Sequence, residues 1–178
     1  MTLAVCQIDA GYHSPFRALR LESICTEPEF LGWPYEDEAR LRPAAWNQKY
    51  RDPQGRVVFG VFAEGQLVGC MAVAAWTGDP TGRTALWNMA YVKPEYRHRK
   101  LAGKSAAQRL YQAREEHTRR IYDAVVFPIH ENNPNSADIH RRNGAQYSHP
   151  ERMTWNGKNP GTWHWYRKEL RRDRLQVA

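Results

Sequence analysis

The sequence predicts a single α/β domain in which a mixed β-sheet is covered by helices. Two observations favour this class. Strand-like and helix-like segments alternate between residues 86 and 144, and pairs of strand-like segments lie on both sides of that core. The chain has 178 residues, of which 42% are hydrophobic, and this suits one domain with a substantial core. We expect about seven strands and about four helices.

Each element is predicted from local pattern. Helices are expected where apolar residues recur at near-helical spacing, and strands where short β-rich or continuously apolar runs end at turn residues. Glu64-Gly65 and Asn156-Gly157 are predicted turns, and Gly144 ends the last helix. In chain order the predicted elements are a strand at 3–8, helices at 15–25 and 35–50 (the latter interrupted at Pro43), strands at 56–63, 67–76 and 86–92, a helix at 101–119, a strand at 124–129, a helix at 136–143, and strands at 146–155 and 162–168.

The centre of the predicted sheet is a buried strand with a helix before it. Residues 124–129 are continuously apolar, as expected for a strand covered on both faces. Small side chains on one face of the preceding helix allow it to pack closely on the sheet. The residues on that face are Ala102, Ala106, Leu110 and Ala113, of which the three alanines are small.

Composition excludes several classes of protein. No stretch approaches the roughly 18 apolar residues of a membrane span, and no basic segment followed by an apolar run opens the chain. The three cysteines are odd in number and lack metal-ligand spacing. We therefore expect reduced thiols, a cytoplasmic protein and no metal site. A net charge of +7 favours anionic ligands.

The most informative segment is a cationic turn between the strand at 86–92 and the next helix. Its basic or titratable side chains are Arg97, His98, Arg99, Lys100 and Lys104. The start of a helix favours anions, so these cations are misplaced there unless a bound anion lies among them and the free backbone N–H groups. A solvated basic loop is the alternative. A nucleotide-binding P-loop is disfavoured because His98 stands where that pattern requires glycine.

This turn resembles motif A of the GCN5-related N-acetyltransferase (GNAT) superfamily, V-x-P-x-[YF]-[QR]-x-x-G-x-[GA]. The matching residues are Val92, Pro94, Tyr96, Arg97 and Ala102, whereas Lys100 replaces the first glycine. In that family the backbone N–H groups of the turn bind the pyrophosphate of acetyl-CoA. Lys100 therefore imposes strain if its φ is positive, or reaches a phosphate with its ammonium group if the backbone there is helical.

A second segment, residues 133–145, resembles motif B of the same superfamily, N-x-x-[AS]-x-x-[LI]-[YH]-x-x-x-G-[FY]. Asn133, Ser136, Ile139, His140 and Gly144 align without gaps, and Ala145 departs from the usual aromatic residue. Most members carry tyrosine at the position of His140, although a branch similar to phosphinothricin-type acetyltransferases carries histidine. The resemblance extends over residues 3–170 and leaves a basic C-terminal tail at 171–178.

The resemblance implies a fold, a co-substrate and a set of binding residues. The fold would be a GNAT-like, mostly antiparallel sheet with splayed central strands, whose freed backbone groups bind the pantetheine arm of acetyl-CoA. Asn133 would bind near that arm, cap its helix, or do both. The residues implied in coenzyme binding are Ala90, Tyr91, Val92, Arg97, His98, Arg99, Lys100, Leu101, Ala102, Gly103, Lys104, Asn133 and Ser136.

His140 is the predicted catalytic residue. The resemblance places its side chain near the coenzyme sulfur, and the ordinary acidity of histidine suits proton donation near neutral pH. Packing beside Ile139 without a catalytic task is the alternative. The general base stays open: His130 and Glu131 follow a strand on which some members carry glutamate, where this chain has Pro128.

The sequence thus predicts an N-acetyltransferase that moves an acetyl group from acetyl-CoA to a primary amine of a small molecule or peptide. Neither motif contains a cysteine to carry the acyl group, so the amine would attack directly in a ternary complex. Residues 36–38, Trp33 and Trp155 are candidates to line the acceptor site, with helix-dipole and packing roles as alternatives.

Two rival functions follow from the basic charge. One is a catalytically weak GNAT-fold module that binds RNA or another polyanion, partly through the tail at 171–178. The other is acetyl transfer to an amine on charged tRNA or a basic ribosomal protein. The oligomeric state, including a homodimer, is left open.

Overall fold

A seven-stranded sheet forms the centre of the protein, whose computed structural model describes residues 2–31, 34–50, 56–155 and 158–170. The strands of the described chain are β1 (Leu3–Gln7), β2 (Val57–Ala63), β3 (Gln66–Ala75), β4 (Thr84–Val92), β5 (Lys100–Leu101), β6 (Lys104–Ser105), β7 (Ala124–His130), β8 (Gln146–Trp155) and β9 (Lys158–Glu169). The order across the main sheet is β1-β2-β3-β4-β7-β9-β8, and β5 pairs with β6 separately. Only the β4–β7 pair of the described sheet is parallel. The mixed, mostly antiparallel sheet is therefore confirmed.

The described chain contains six α-helices, more than the four expected. They are α1 (His13–Thr26), α2 (Pro28–Leu31), α3 (Tyr35–Ala39), α4 (Pro43–Tyr50), α5 (Ala106–Ile121) and α6 (Pro134–Arg142). The zone at 35–50 is two helices because Pro43 begins the second one, where its missing N–H is not needed. The short α2 follows α1 directly and had no apolar periodicity to reveal it.

Apolar clusters cover both faces of the sheet. One cluster joins α5 and α6 to the sheet through Trp87, Leu110, Val125, Phe127 and Ala137. The other joins α1 and α4 to the opposite face through Phe16, Leu19, Trp46, Phe62 and Tyr91. Burial on both faces explains why the central strand reads as a continuous apolar run. Within the ranges given above, no helix is both long and apolar enough to cross a membrane.

The helix after the cationic turn begins later than predicted. The predicted start near Leu101 is wrong, because α5 begins at Ala106 and the residues before it form the β5–β6 hairpin. Ala102 has a φ of 49° and Gly103 a φ of 77°, values that a right-handed helix cannot contain. Ala102 therefore lies outside the helix whose apolar face it was predicted to share.

A capping box fixes the true start of α5. Ser105 is the N-cap: its hydroxyl oxygen accepts the N–H of Gln108 at 3.2 Å, and the Gln108 side chain accepts the N–H of Ser105 at 2.8 Å. The Ser-x-x-Gln signature was visible in the sequence.

Replacing Ser105 with alanine is expected to lower the free energy of unfolding by about 1 kcal/mol, the usual effect of losing an N-cap. Urea denaturation measures the loss. Ser105→Asn is the matched control, because its side-chain oxygen can still accept the Gln108 N–H and should retain most of the stability. A Ser105→Ala protein as stable as wild type would show that the capping box does not hold this helix end.

Candidate active site

A cleft opens where β4 and β7 separate. The two strands pair from Thr84↔Ala124 to Leu86↔Val126, and their pairing ends there. The opening belongs to a cleft of roughly 2210 Å³ lined by the end of β4, the turn after it, α5 and α6. Backbone groups of β4 beyond Leu86 are thus available to an extended ligand on that side. The predicted splay of the central strands is confirmed.

A β-bulge in β4 sets the direction of the side chains along this edge. The register between β3 and β4 shifts between Cys70 and Ala72, which leaves one extra residue on β4, and Met89 has a φ of 57°. An extra residue reverses the alternation of a strand. Trp87 consequently packs in the α5 cluster, whereas Tyr91 packs in the α1 cluster.

Tyr91 fixes the free end of β4 to α1. Its hydroxyl donates to Oε1 of Glu22 at 3.1 Å and lies 3.1 Å from the hydroxyl of Thr26. Lys93 also binds Glu22, at 2.8 Å. Burial raises the pKa of Tyr91, so the phenol stays neutral and keeps its role as a donor. Only the backbone of Tyr91 was predicted to act, and its side chain holds the strand in place.

The cationic turn forms part of the cleft wall. Arg97 pairs with the carboxylate of Glu27, the residue after α1, and donates through Nε to the carbonyl of Val92 at 2.8 Å. These contacts join the turn to the end of α1 and to β4. His98 and Lys100 also line the cleft. Lys100 lies in the extended β5, so neither the positive φ nor the helical backbone considered for it is present.

The predicted coenzyme-binding residues fall into two groups. Those that line the cleft are Ala90, Tyr91, Val92, Arg97, His98, Lys100, Asn133 and Ser136. Those outside its described lining are Arg99, Leu101, Ala102, Gly103 and Lys104. Arg99 lies over the ring of Tyr96 at 5.1 Å, and Lys104 donates to the side chain of Gln112 at 2.6 Å. Four of these five residues belong to the β5–β6 hairpin, which contributes only its two ends, Lys100 and Ser105, to the cleft lining.

Asn133 begins α6. Its Oδ1 accepts the N–H of Ser136 at 3.2 Å, and Pro134 occupies the first helical position. Gly144 has a φ of 85° and follows the end of the helix, as the sequence indicated. The capping role of Asn133 is confirmed, and a coenzyme contact stays a prediction.

His140 lies buried against aromatic rings. It is 8% exposed, and its ring centroid lies 4.0 Å from that of Phe127. Burial, reinforced by the charges of Arg114 and Lys168, lowers the pKa of His140 to about 3. The expectation of ordinary histidine acidity is therefore wrong, because the imidazole is neutral at pH 7. A neutral imidazole can still donate an N–H, so a catalytic role for His140 stays a prediction in that form.

The candidate general bases have structural tasks. Nδ1 of His130 accepts the N–H of Asn132 at 3.2 Å, and Glu131 accepts the N–H of Thr162 at 2.9 Å, a bond that lowers the pKa of Glu131. Both residues thus join the end of β7 to β9 or to the next turn. Neither belongs to the described lining of the cleft.

The proposed acceptor-site residues are placed only in part. Glu36, Asp37 and Glu38 form the first turn of α3, where negatively charged side chains interact favourably with the helix dipole. They are absent from the described lining of the cleft. Trp33 and the side chain of Trp155 lie outside the described residues, as do the turn Asn156-Gly157 and the tail at 171–178.

Sequence reasoning missed a buried charged cluster beside His140. Arg114 is 1% exposed, and its guanidinium carbon lies 4.0 Å from the centre of the Trp87 ring. Lys168 on β9 donates to the Glu115 carboxylate at 2.7 Å. The available signal was spacing: Ala106, Leu110, Arg114 and Thr118 are four residues apart and form the buried stripe of α5.

Comparison with known proteins gives the family. Residues 18–145 match the profile of the family described as the acetyltransferase (GNAT) family. The chain belongs to this family. A search of curated proteins found no match. Among the residues that the structure of this GNAT protein describes, no group of three or more His, Cys, Asp or Glu side chains could hold a metal ion.

Solved structures share the fold of this GNAT protein over nearly its whole length. A GCN5-related N-acetyltransferase from Kribbella flavida gives a TM-score of 0.73 at 15% identity and covers 94% of this chain and 98% of its own. The structure of yncA from Salmonella typhimurium with its cofactor acetyl-CoA gives 0.71 at 14% identity, covering 96% and 95%. RimL, a ribosomal α-N-protein acetyltransferase in complex with coenzyme A, gives 0.70 at 15% identity, covering 97% of each chain.

Proposed function

We propose that this protein transfers the acetyl group of acetyl-CoA to a primary amine of a small molecule or peptide. The observation that carries the proposal is the splay of β4 from β7 beside the cleft, since it exposes backbone groups to an extended thioester arm. The family match supports acetyl transfer. The acetyl-CoA and coenzyme A named for yncA and RimL support the choice of co-substrate.

The diphosphate would bind at the start of α5. The first N–H groups of a helix lack partners within it, and the capping box uses those of Ser105 and Gln108. The N–H groups of Ala106 and Ala107 would then face the phosphate oxygens, with the cations of Arg97 and Lys100 nearby. This places the anion a few residues later than motif A alone indicates, because the β5–β6 hairpin precedes the helix.

The chemistry requires a neutral amine, a polarised carbonyl and a stabilised leaving group. The amine nitrogen attacks the thioester carbon, a C–N bond forms, the C–S bond breaks, and its electron pair leaves with sulfur. The proton of the attacking amine passes to a base or to solvent. A backbone N–H of β4 beyond the bulge would polarise the carbonyl oxygen, and the neutral imidazole of His140 would donate its N–H to sulfur.

Isothermal titration with acetyl-CoA tests the coenzyme site. Wild type is expected to bind, and Ala107→Asp is expected to bind at least about tenfold more weakly, which corresponds to roughly 1.4 kcal/mol. An aspartate in the first turn suits the helix dipole, so this variant should fold while its carboxylate repels the phosphates.

Ala107→Ser is the matched control and should bind like wild type, because serine is polar but uncharged and is only slightly larger than alanine. Equal affinity of Ala107→Asp and wild type would move the diphosphate away from the start of α5. Failure of folded wild type to bind acetyl-CoA at high micromolar concentration would refute the proposed activity. If wild type binds acetyl-CoA, a screen of amines monitored by free-thiol release would identify the acceptor class.

The polyanion alternative rests on charge and on the tail at 171–178. RNA binding that falls steeply with salt and is unaffected by acetyl-CoA would favour it over the enzyme. Comparing intact and tail-truncated protein on small amines and on charged tRNA separates a tRNA-directed transferase from one that acts on small molecules.

A further inference from the structure

Unpartnered polar groups converge where the cleft ends between β4 and β7. Trp87 and Phe127, which follow the last paired residues of the two strands, stack at 5.9 Å with an interplanar angle of 17°. Arg114 lies on Trp87, and His140 lies on Phe127, each at 4.0 Å. Among the residues described, Nε and Nη2 of Arg114, Nδ1 of His140 and the hydroxyl of Tyr111 are buried without hydrogen-bond partners. We call this end of the cleft, bounded by these five residues, the apex.

The charges around the apex are unbalanced. On α5, Arg114 and Arg119 flank Glu115, whose carboxylate binds both Arg119 and Lys168 of β9. Arg119 and Lys168 thus share one carboxylate, to which Nε and Nη2 of Arg114 do not hydrogen-bond. The imidazole of His140 on α6 is neutral. The strands β4 and β7 contribute only the uncharged aromatic rings of Trp87 and Phe127 to the apex.

A buried guanidinium with two unpartnered N–H groups is costly unless an anion or acceptor completes it. The rings of Trp87 and Tyr111, at 4.0 and 5.6 Å from the Arg114 guanidinium carbon, offer only the negative faces of their π systems. The apex therefore favours a compact negative charge beside Arg114, where Nε and Nη2 find no hydrogen-bond acceptor among the described residues.

The distances along α5 and β4 indicate which negatively charged group of a bound thioester coenzyme, its diphosphate or its sulfur, could lie beside Arg114. Ala106 and Arg114 are eight positions apart on α5, roughly 12 Å along the helix axis. A diphosphate at the start of α5 is therefore out of direct reach of the guanidinium. Along β4, Val92 and Trp87 are five positions apart, on the order of 16 Å. Val92 and Ala107 line the same cleft, so an arm that enters beside Val92 and extends along β4 would bring its sulfur toward the apex.

We propose that the guanidinium of Arg114 stabilises the coenzyme A thiolate that leaves during acetyl transfer, with an N–H of His140 as a second donor. This inference rests on the proposed function. When the C–S bond breaks, its electron pair moves to sulfur beside a cation that is already fixed in place and requires no reorganisation. Because His140 is neutral, the thiolate is stabilised by the permanent charge of Arg114 and not by proton transfer from a protonated side chain. The thiolate later takes its proton from solvent.

The ionisation of bound coenzyme A tests this role without an acceptor amine. The far-ultraviolet absorbance of the thiolate, followed against pH at saturating coenzyme A, gives the pKa of the bound thiol. In wild type this pKa should lie about 1 to 3 units below that of free coenzyme A, the effect of a cation close to an anion. In Arg114→Met most of the shift should be lost, and in Arg114→Lys part of it should return.

The variants are chosen so that folding does not decide the result. Methionine replaces a buried guanidinium that has two unpartnered nitrogens with an apolar side chain of similar length, and the loss of a buried charge to an apolar side chain is often neutral or stabilising. Arg120→Met removes an exposed cation from the same helix and should leave the thiol pKa as in wild type. Desulfo-coenzyme A, which lacks the thiol, should bind wild type and Arg114→Met equally.

The outcomes separate the two proposals. If coenzyme A and its desulfo analogue both bind but the thiol pKa is unshifted in wild type, or equally shifted in Arg114→Met, the role of Arg114 is refuted and the proposed activity stands. If neither compound binds folded wild type, the proposed activity fails and the inference fails with it.

Discussion

Replacing His140 with alanine is expected to lower turnover roughly 10²-fold with little change in the affinity for acetyl-CoA. His140 is a buried residue of the cleft lining and contacts the coenzyme, in our proposal, only at the sulfur. The interaction would strengthen as negative charge develops there, so its loss should affect turnover more than binding. Steady-state kinetics with an amine found by the thiol-release screen, together with titration of acetyl-CoA, measure the two effects.

The pH dependence distinguishes a neutral donor from a protonated acid. Burial and the nearby charges of Arg114 and Lys168 lower the pKa of His140 to about 3, so the imidazole is neutral at any pH well above that value. The ratio of wild-type to His140→Ala turnover should therefore stay constant between about pH 5 and pH 9. An imidazolium acid with the usual pKa near 6.5 would instead make the ratio fall above that pH.

Two further variants control this experiment. His140→Gln keeps a side-chain N–H donor and should recover part of the rate. His117→Ala removes a half-buried histidine of α5 that contacts Phe59 at 5.5 Å, and it should leave the rate nearly unchanged. A His140→Ala enzyme as fast as wild type near pH 7 would leave His140 as a packing residue.

Local patterns predicted the elements well because local interactions decide them. The two motifs gave the strand before the cationic turn, and Asn133 and Gly144 marked the ends of α6. The hairpin of β2 and β3 followed from its β-rich segments and the turn between them. The start of α5 was predicted near Leu101 from the motif, whereas the capping box formed by Ser105 and Gln108 marks the true start at Ala106.

The parts of the site that escaped prediction depend on contacts between distant segments. The bulge at Met89 lies where β4 still pairs with β3 but has left β7. No glycine marks it, and the single Asn88 inside a β-rich run was too weak a turn signal to predict it. The low pKa of His140 is set first by its burial against the sheet and then by the charges of Arg114 and Lys168, which belong to different elements. Spacing could place Arg114 on the buried stripe of α5, but it could not show that Nε and Nη2 of its guanidinium lack hydrogen-bond acceptors among the described residues.

Replacing Trp87 with alanine is expected to lower the free energy of unfolding by about 3–5 kcal/mol, the range for deleting a buried aromatic side chain. Trp87 is 2% exposed and stands at the first position of β4 beyond its pairing with β7. Since small domains unfold at a total cost of about 5–15 kcal/mol, this single loss would remove a large part of the stability. Urea denaturation followed by far-ultraviolet circular dichroism measures the change.

Several contacts account for an effect of this size. The indole stacks on Phe127 at 5.9 Å, meets the edge of Tyr111 at 5.2 Å, and donates its N–H to the hydroxyl of Thr118 at 3.0 Å. It also lies beneath Arg114 at 4.0 Å. Alanine would therefore leave a cavity next to a buried charge that has lost its aromatic partner, which adds a desolvation cost to the lost packing.

Two matched variants show which contact matters most. Trp87→Phe keeps a ring under Arg114 and loses the bond to Thr118, so its cost should be only about 1–2 kcal/mol. Trp165→Ala deletes a half-buried indole of β9 that contacts Trp76 at 6.1 Å, and it should destabilise much less than Trp87→Ala. If Trp87→Ala cost no more than Trp165→Ala, the junction of β4 and β7 would not be the packed point that fixes the apex, and the positions inferred for Arg114 and His140 would lose their support.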